Sequence, residues 1–323
     1  MMKPAHLIHD PKARAIMLQA LVVAILAALV VLMIRNAAAN LEKQNIASGF
    51  GFLSRTAGFD ISQTLIPYKN TDSYARAFWV GLTNTLLVAA LGIVFATIVG
   101  FAIGIARLSS NWLIAKLALV YIELVRNVPL LLWLFVIYFG VLLRLPSPAD
   151  SLHLPGGLLL NQRGLYVPGA GGSLNVGPFN IEGGIGIEPE LIALLAGLVT
   201  YTAAYIAEIV RAGILSVARG QGQAAAALGL TQGQALRYVV LPQALRAIIP
   251  PLTNQYVNLA KNSSLAVAVG YPDLVSVFAG TILNHTNQAV ETIAITMAVY
   301  LMLSLSLAAG MNALNARVAL KER

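Results

Sequence analysis

Two acid–base couples lie inside long apolar stretches of this 323-residue chain, Glu123 with Arg126 and Glu208 with Arg211. Three-residue spacing puts each acid beside its base on one helical face. A charge at the centre of a membrane span costs about 2.5–3.5 kcal/mol, so such groups mark either a mutual pair or a pathway. Asn254, Asn258 and Lys261 follow at i, i+4 and i+7 after Pro250–Pro251, with Ser263 and Ser264 just beyond. That spacing aligns the first three on one face. Tyr201, Tyr205 and Glu208 form a similar stripe. Such stripes either line a polar path or hydrogen-bond one helix to another. Catalytic and metal chemistry find no support. The chain has no cysteine, its four histidines show no HExxH spacing, and no GxxxxGK[ST] phosphate loop occurs.

The elements that hold these groups are set by composition. Hydrophobic residues make up 58% and charged residues 11%, against roughly 45–50% and 25% in soluble domains. Mean hydropathy is +0.76. Apolar residues are gathered into long blocks, which makes lipid the solvent. Blocks near 16–34, 79–106, 112–143, 191–215, 247–270 and 292–314 are each long enough to cross a bilayer, giving an all-α polytopic protein of six spans. The first block, at 1.5 Å per residue, reaches about 28 Å. A cleaved signal peptide competes for that block, because Ala37 and Ala39 form an A-x-A pattern.

Net charge is +8, but the cations are dispersed and form no basic run of the kind nucleic acid requires. They follow the orientation rule instead. With both termini inside, inner segments hold Lys3, Lys12, Arg14, Arg107, Lys116, Arg219, Arg237, Arg246, Arg317, Lys321 and Arg323, opposed only by Asp10 and Glu322. The expected organisation is a cytoplasmic terminus (1–15), an N-terminal span (16–34), an outer loop (35–78), a five-helix core (79–314) and a cytoplasmic end (315–323). Within the core lie an outer loop (144–190) and an inner loop (216–246). Six prolines and three Gly-Gly pairs exclude a single helix from 144–190 and predict turns and short hairpins. His153 and His285 read as solvated bystanders, and Trp79 and Trp112 as interfacial anchors at span starts.

The inner loop predicts a helix–turn–helix. Gln223–Leu228 consists of strong helix formers, and Gly229 can take the left-handed cap. Thr231 with Gln234 is a capping box opening a second helix, which Pro242 is expected to end. In this loop the chain resembles the permease subunits of ATP-binding-cassette importers. Their signature is Glu-Ala-Ala, three residues, Gly, nine residues and Ile-x-Leu-Pro. Here Gln223-Ala224-Ala225, Gly229 and Val239-Val240-Leu241-Pro242 stand at that spacing. Gln223 replaces the Glu and Val239 the Ile.

Residues 123–131, 204–214 and 262–274 are similar to the polar amino acid subfamily, and the whole chain resembles the general L-amino acid permeases. That resemblance implies a type I importer fold in the bacterial inner membrane, with five core helices and one extra N-terminal span. It implies that Gln223, Ala224, Ala225, Gly229, Leu241 and Pro242 engage a separate ATPase subunit, which binds the ATP and magnesium. It further implies a second, related permease, a periplasmic binding protein and an amino acid substrate. A zwitterion needs acceptors for its ammonium and donors for its carboxylate, so the two polar stripes become candidates for pathway lining. An ion-coupled secondary carrier is the alternative, although no internal repeat supports it.

Overall fold

The computed structural model describes residues 11–43, 49–169, 174–177 and 180–318. Of the expected terminal segments 1–15 and 315–323, residues 1–10 and 319–323 lie outside them. Helix α1 (Pro11–Lys43) contains an apolar stretch, Arg14–Met33, none of which is buried. Its faces are apolar all round, as a helix surrounded by lipid requires.

Helices α2 (Tyr74–Ala106) and α5 (Pro189–Leu215) form the centre of the bundle and pack on each other more extensively than any other pair. Small residues allow the approach. A Cβ added at Gly100 would lie 2.6 Å from the Ile206 Cβ, and one at Gly104 would lie 2.7 Å from the Ala207 carbonyl oxygen. Gly100 and Gly104 make a GxxxG motif, the spacing that lets membrane helices meet backbone to backbone.

The block expected to span from Trp112 to Leu143 is two pieces. Helix α3 (Trp112–Arg126) and the segment Leu130–Arg144, which begins with α4 (Leu130–Phe135), meet at 105°. Pro129 causes the break, because it restricts Val128 and supplies no N–H. The Asn127 side-chain amide then donates to the Glu123 carbonyl, 2.7 Å away. Among the described residues, four helices are long and apolar enough to cross a membrane, and this bent pair makes a fifth.

The segment 144–190 carries the expected short hairpins. Strands β1 (Leu152–Leu154), β2 (Leu158–Asn161), β3 (Gly164–Val167) and β6 (Ile185–Ile187) form an antiparallel sheet in the order β1-β2-β3-β6. A second sheet pairs β4 (Asn175–Val176) with β5 (Ile181–Glu182). Gly156 and Gly157 turn the first hairpin with φ of 83° and 75°, values that favour glycine. Residues 49–73 pack over the same end of the bundle. There Phe52 and Ala57 join Tyr74, Ala77, Leu274 and Phe278 in one buried cluster.

At the opposite end, α5 leads into α6 (Arg219–Ala227) and α7 (Gln232–Ala235). The second helix does not end at Pro242. A π-helical turn (Leu236–Val240) joins α7 to α8 (Leu241–Asn262), and Pro242 sits in the first turn of α8. The wide turn changes the hydrogen-bond register just where proline offers no donor. Pro250 and Pro251 also lie within α8, so the backbone continues helically through a proline pair of the kind that ordinarily breaks a helix. After α8 the chain turns at Gly270 (φ 84°) and runs through the buried residues Tyr271–Leu274. A π-helix (Val275–Ile282) and the short α9 (Leu283–Thr286) follow, and α10 (Ala289–Val318) packs along α8.

Candidate functional site

The helix–turn–helix between α5 and α8 is built from two complete caps. Gly229 has φ of 81°. Its N–H donates to the Ala226 carbonyl at 2.9 Å, and the Leu230 N–H donates to the Ala225 carbonyl at 3.1 Å. These two bonds are a Schellman motif, and they need a residue at ease in the left-handed region. The Thr231 N–H donates to Gln234 Oε1 at 2.9 Å, and the Gln234 N–H donates to Thr231 Oγ1 at 3.4 Å, closing the capping box.

The turn is therefore rigid, and it projects. Gln223, Ala224, Gly229 and Pro242 are exposed, Leu241 is half-buried, and only Ala225 faces inward. Leu228 is 83% exposed and Tyr238 63%, so two large side chains stand out on this surface. Polar capping inside and apolar exposure outside suit a rigid element that is gripped by another protein.

Within the bundle, α3 and α5 bring one predicted group together. Arg211 Nε donates to Glu208 Oε2 at 3.0 Å, the one ion pair among the described residues. Glu123 and Arg126 do not pair. Glu123 receives the Asn127 amide at 3.5 Å, while the Arg126 guanidinium lies 5.1 Å from the centre of the Tyr205 ring. Arg126 is the last residue of α3, and its side chain reaches across to α5, where an aromatic face attracts it. The Tyr201 and Tyr205 hydroxyls are 3.1 Å apart. Arg126, Tyr201 and Tyr205 thus form one cluster, and the Glu208–Arg211 pair lies a turn further along α5.

The α8 stripe is separate from it. Asn254, Asn258 and Lys261 are all exposed on one face, and no hydrogen bond among the described residues joins them to the α5 cluster. Ser263 Oγ and Ser264 Oγ turn back to the Ala260 and Lys261 carbonyls at 2.7 and 2.8 Å. Lys261 and Ser264 share a pocket of about 390 Å³ with Thr296, Tyr300 and Ser304 of α10. Sequence reasoning missed those α10 residues, because three hydroxyls in an apolar helix carry no signal of their own.

It also missed a buried polar seam at the sheet end. Asn84 is fully buried, and its amide donates to the Gln63 and Pro272 carbonyls, both at 2.9 Å. Asp273 is buried as well. It accepts from the Ser276 N–H at 2.8 Å and from the Tyr300 hydroxyl at 3.1 Å. His285 is exposed, and its ring meets Phe59 edge-on at 5.4 Å.

Residues 92–320 match the family described as binding-protein-dependent transport system inner membrane component. The putative amino-acid ABC transporter permease protein YhdX of Escherichia coli is 44% identical, over 97% of this chain and 96% of that protein. The general L-amino acid transport system permease protein AapQ of Rhizobium johnstonii is 45% identical, over 98% and 94%. Among solved structures, an amino acid ABC transporter crystallised with histidines superposes with a TM-score of 0.57 at 29% identity, over 76% of this chain and 95% of that one.

Proposed function

The chain belongs to the binding-protein-dependent transport system inner membrane components, and on that premise we propose that it passes amino acids inward by alternating access, driven by ATP hydrolysed on a separate subunit. The observation that carries this reading is the doubly capped, exposed Gln223–Pro242 element in a chain without a phosphate loop. Gln223, Ala224, Ala225 and Gly229 enter a groove on the ATPase, while Leu241 and Pro242 transmit its closure into α8. ATP and magnesium belong to that partner.

The polar face of α8 supports a second permease subunit, related to this one, closing over Asn254, Asn258 and Lys261. Exposed amides and an ammonium on a helix packed against spanning helices are costly unless they meet protein or water. Tyr201, Tyr205, Ser263 and Ser264 border the same path, and the Glu208–Arg211 pair near the helix–turn–helix end keeps two charges neutralised within it. By charge distribution the helix–turn–helix and both termini are cytoplasmic, with the sheet end facing a periplasmic binding protein. The comparisons offer nothing in favour of an ion-coupled carrier.

Purification of the tagged chain tests the assembly. A Walker-type ATPase and a second permease are expected to co-elute. Uptake in proteoliposomes should be abolished by vanadate and indifferent to an uncoupler. Concentrative uptake by this polypeptide alone would overturn the reading.

A further inference from the structure

At the sheet end, three segments far apart in sequence converge on a pocket of about 440 Å³, within the roughly 300–1,000 Å³ of small-molecule sites. The first loop contributes Ser62, the β2–β3 turn contributes Gln162 and Arg163 with Tyr166 beside them, and the start of α5 contributes Glu188 and Glu190. Each acid is already oriented. Glu188 Oε2 accepts from Ser62 Oγ at 3.1 Å, and Glu190 Oε1 accepts from the Tyr138 hydroxyl at 2.6 Å. The other oxygen of each carboxylate holds no hydrogen bond among the described residues, and Arg163 forms no ion pair with either acid.

One fact makes this more than a patch of surface charge. Burial pushes the half-buried Glu188 carboxyl above its usual range, against the opposing pull of the Ser62 hydroxyl, so its charge is short of a partner.

We propose that this pocket is an entry subsite for a zwitterionic α-amino acid, whose ammonium sits between Glu188 and Glu190 and whose carboxylate meets Arg163. A metal ion alone would leave Arg163 opposed, and an anion alone would face two acids. The substrate side chain would extend toward Tyr166 and Gln162. The subsite rests on the function proposed above, because it would hold substrate before the bundle opens to receive it.

Calorimetry on the complete complex in nanodiscs, without binding protein, tests it. Each of the twenty common L-amino acids is titrated in turn, together with the decarboxylated amine and deaminated acid of any that bind. At least one amino acid should bind, and its amine and acid counterparts should not. Arg163→Gln and Glu190→Gln should each weaken binding about tenfold or more, the loss of one charge-assisted hydrogen bond. Arg163→Lys should recover part of the loss. Arg163 is exposed and free of ion pairs, so its variants should leave the fold intact. Binding unchanged in both variants, or no binding by a wild-type complex that transports, would overturn the subsite and leave the transport reading standing. A heat seen only when binding protein is added, the same with or without amino acid, would also overturn it by making the pocket a docking contact. Loss of ATP-driven uptake in the wild type would instead strike the function itself.

Discussion

Gly229 concentrates the helix–turn–helix into one backbone conformation. A β-branched residue held at φ 81° pays about 1–2 kcal/mol, yet an added Cβ meets no atom within 4 Å. Gly229→Val is therefore expected to distort the turn without crowding anything else. Uptake and ATPase activity of the assembled complex in proteoliposomes should both fall, and full activity would rule out the turn as a coupling element. Asp273 offers a contrast, because it is buried and its two oxygens serve two elements. Asp273→Ala leaves the Ser276 N–H unmet and removes the bond to the Tyr300 hydroxyl, and should cost about 1–3 kcal/mol. Tyr300→Phe keeps the bond to Ser276 and should cost less. Thermal unfolding in detergent ranks the two.

At the scale of elements, the α2–α5 contact depends on glycines that leave no room for a side chain. Gly104→Leu would drive atoms into the Ala207 carbonyl and Val210, and overpacking costs about 1–3 kcal/mol or more. Gly310 of α10 has open space around it. Gly310→Leu should therefore be tolerated while Gly104→Leu lowers both yield and melting temperature, and equal tolerance would mean that α2 and α5 are not in contact. The bent α3–α4 pair shows the same dependence on single residues. A periodic pattern reads Trp112–Leu143 as one apolar run, but Pro129 removes one donor and constrains its neighbour, which is enough to fold the run on itself. Pro242, Pro250 and Pro251 show the opposite outcome, since a π turn and tertiary packing keep α8 helical through all three.

For the molecule as a whole, the absence of cysteine gives a clean test of sidedness. Single substitutions Gln223→Cys and Gln162→Cys place one exposed thiol at each end of the bundle. An impermeant thiol reagent added to intact cells, with the outer membrane made permeable, should label the second and spare the first. Labelling of both or neither would refute the proposed orientation. The charge asymmetry that motivates this test was visible along the chain, because insertion is biased by cations near span ends regardless of packing. Two faces stay exposed in the single chain, the tip at Leu228 and Tyr238 and the polar stripe on α8, and they are the surfaces on which the proposed partners would sit.

The chain's own pattern determined what is local: apolar blocks, proline and glycine in the sheet segment, the Gly229 cap and the Thr231–Gln234 box are all set by residues a few positions apart. The same holds for the signature around Gln223 that marks the family. Only the tertiary structure decided which polar groups meet. It separated Glu123 from Arg126, placed Arg126 over Tyr205, buried Asp273 against Tyr300, and drew Ser62, Arg163, Glu188 and Glu190 to one pocket. Those partners lie on different elements, and a hydrogen bond between residues 62 and 188 follows from how helices pack, which no periodicity within either segment encodes.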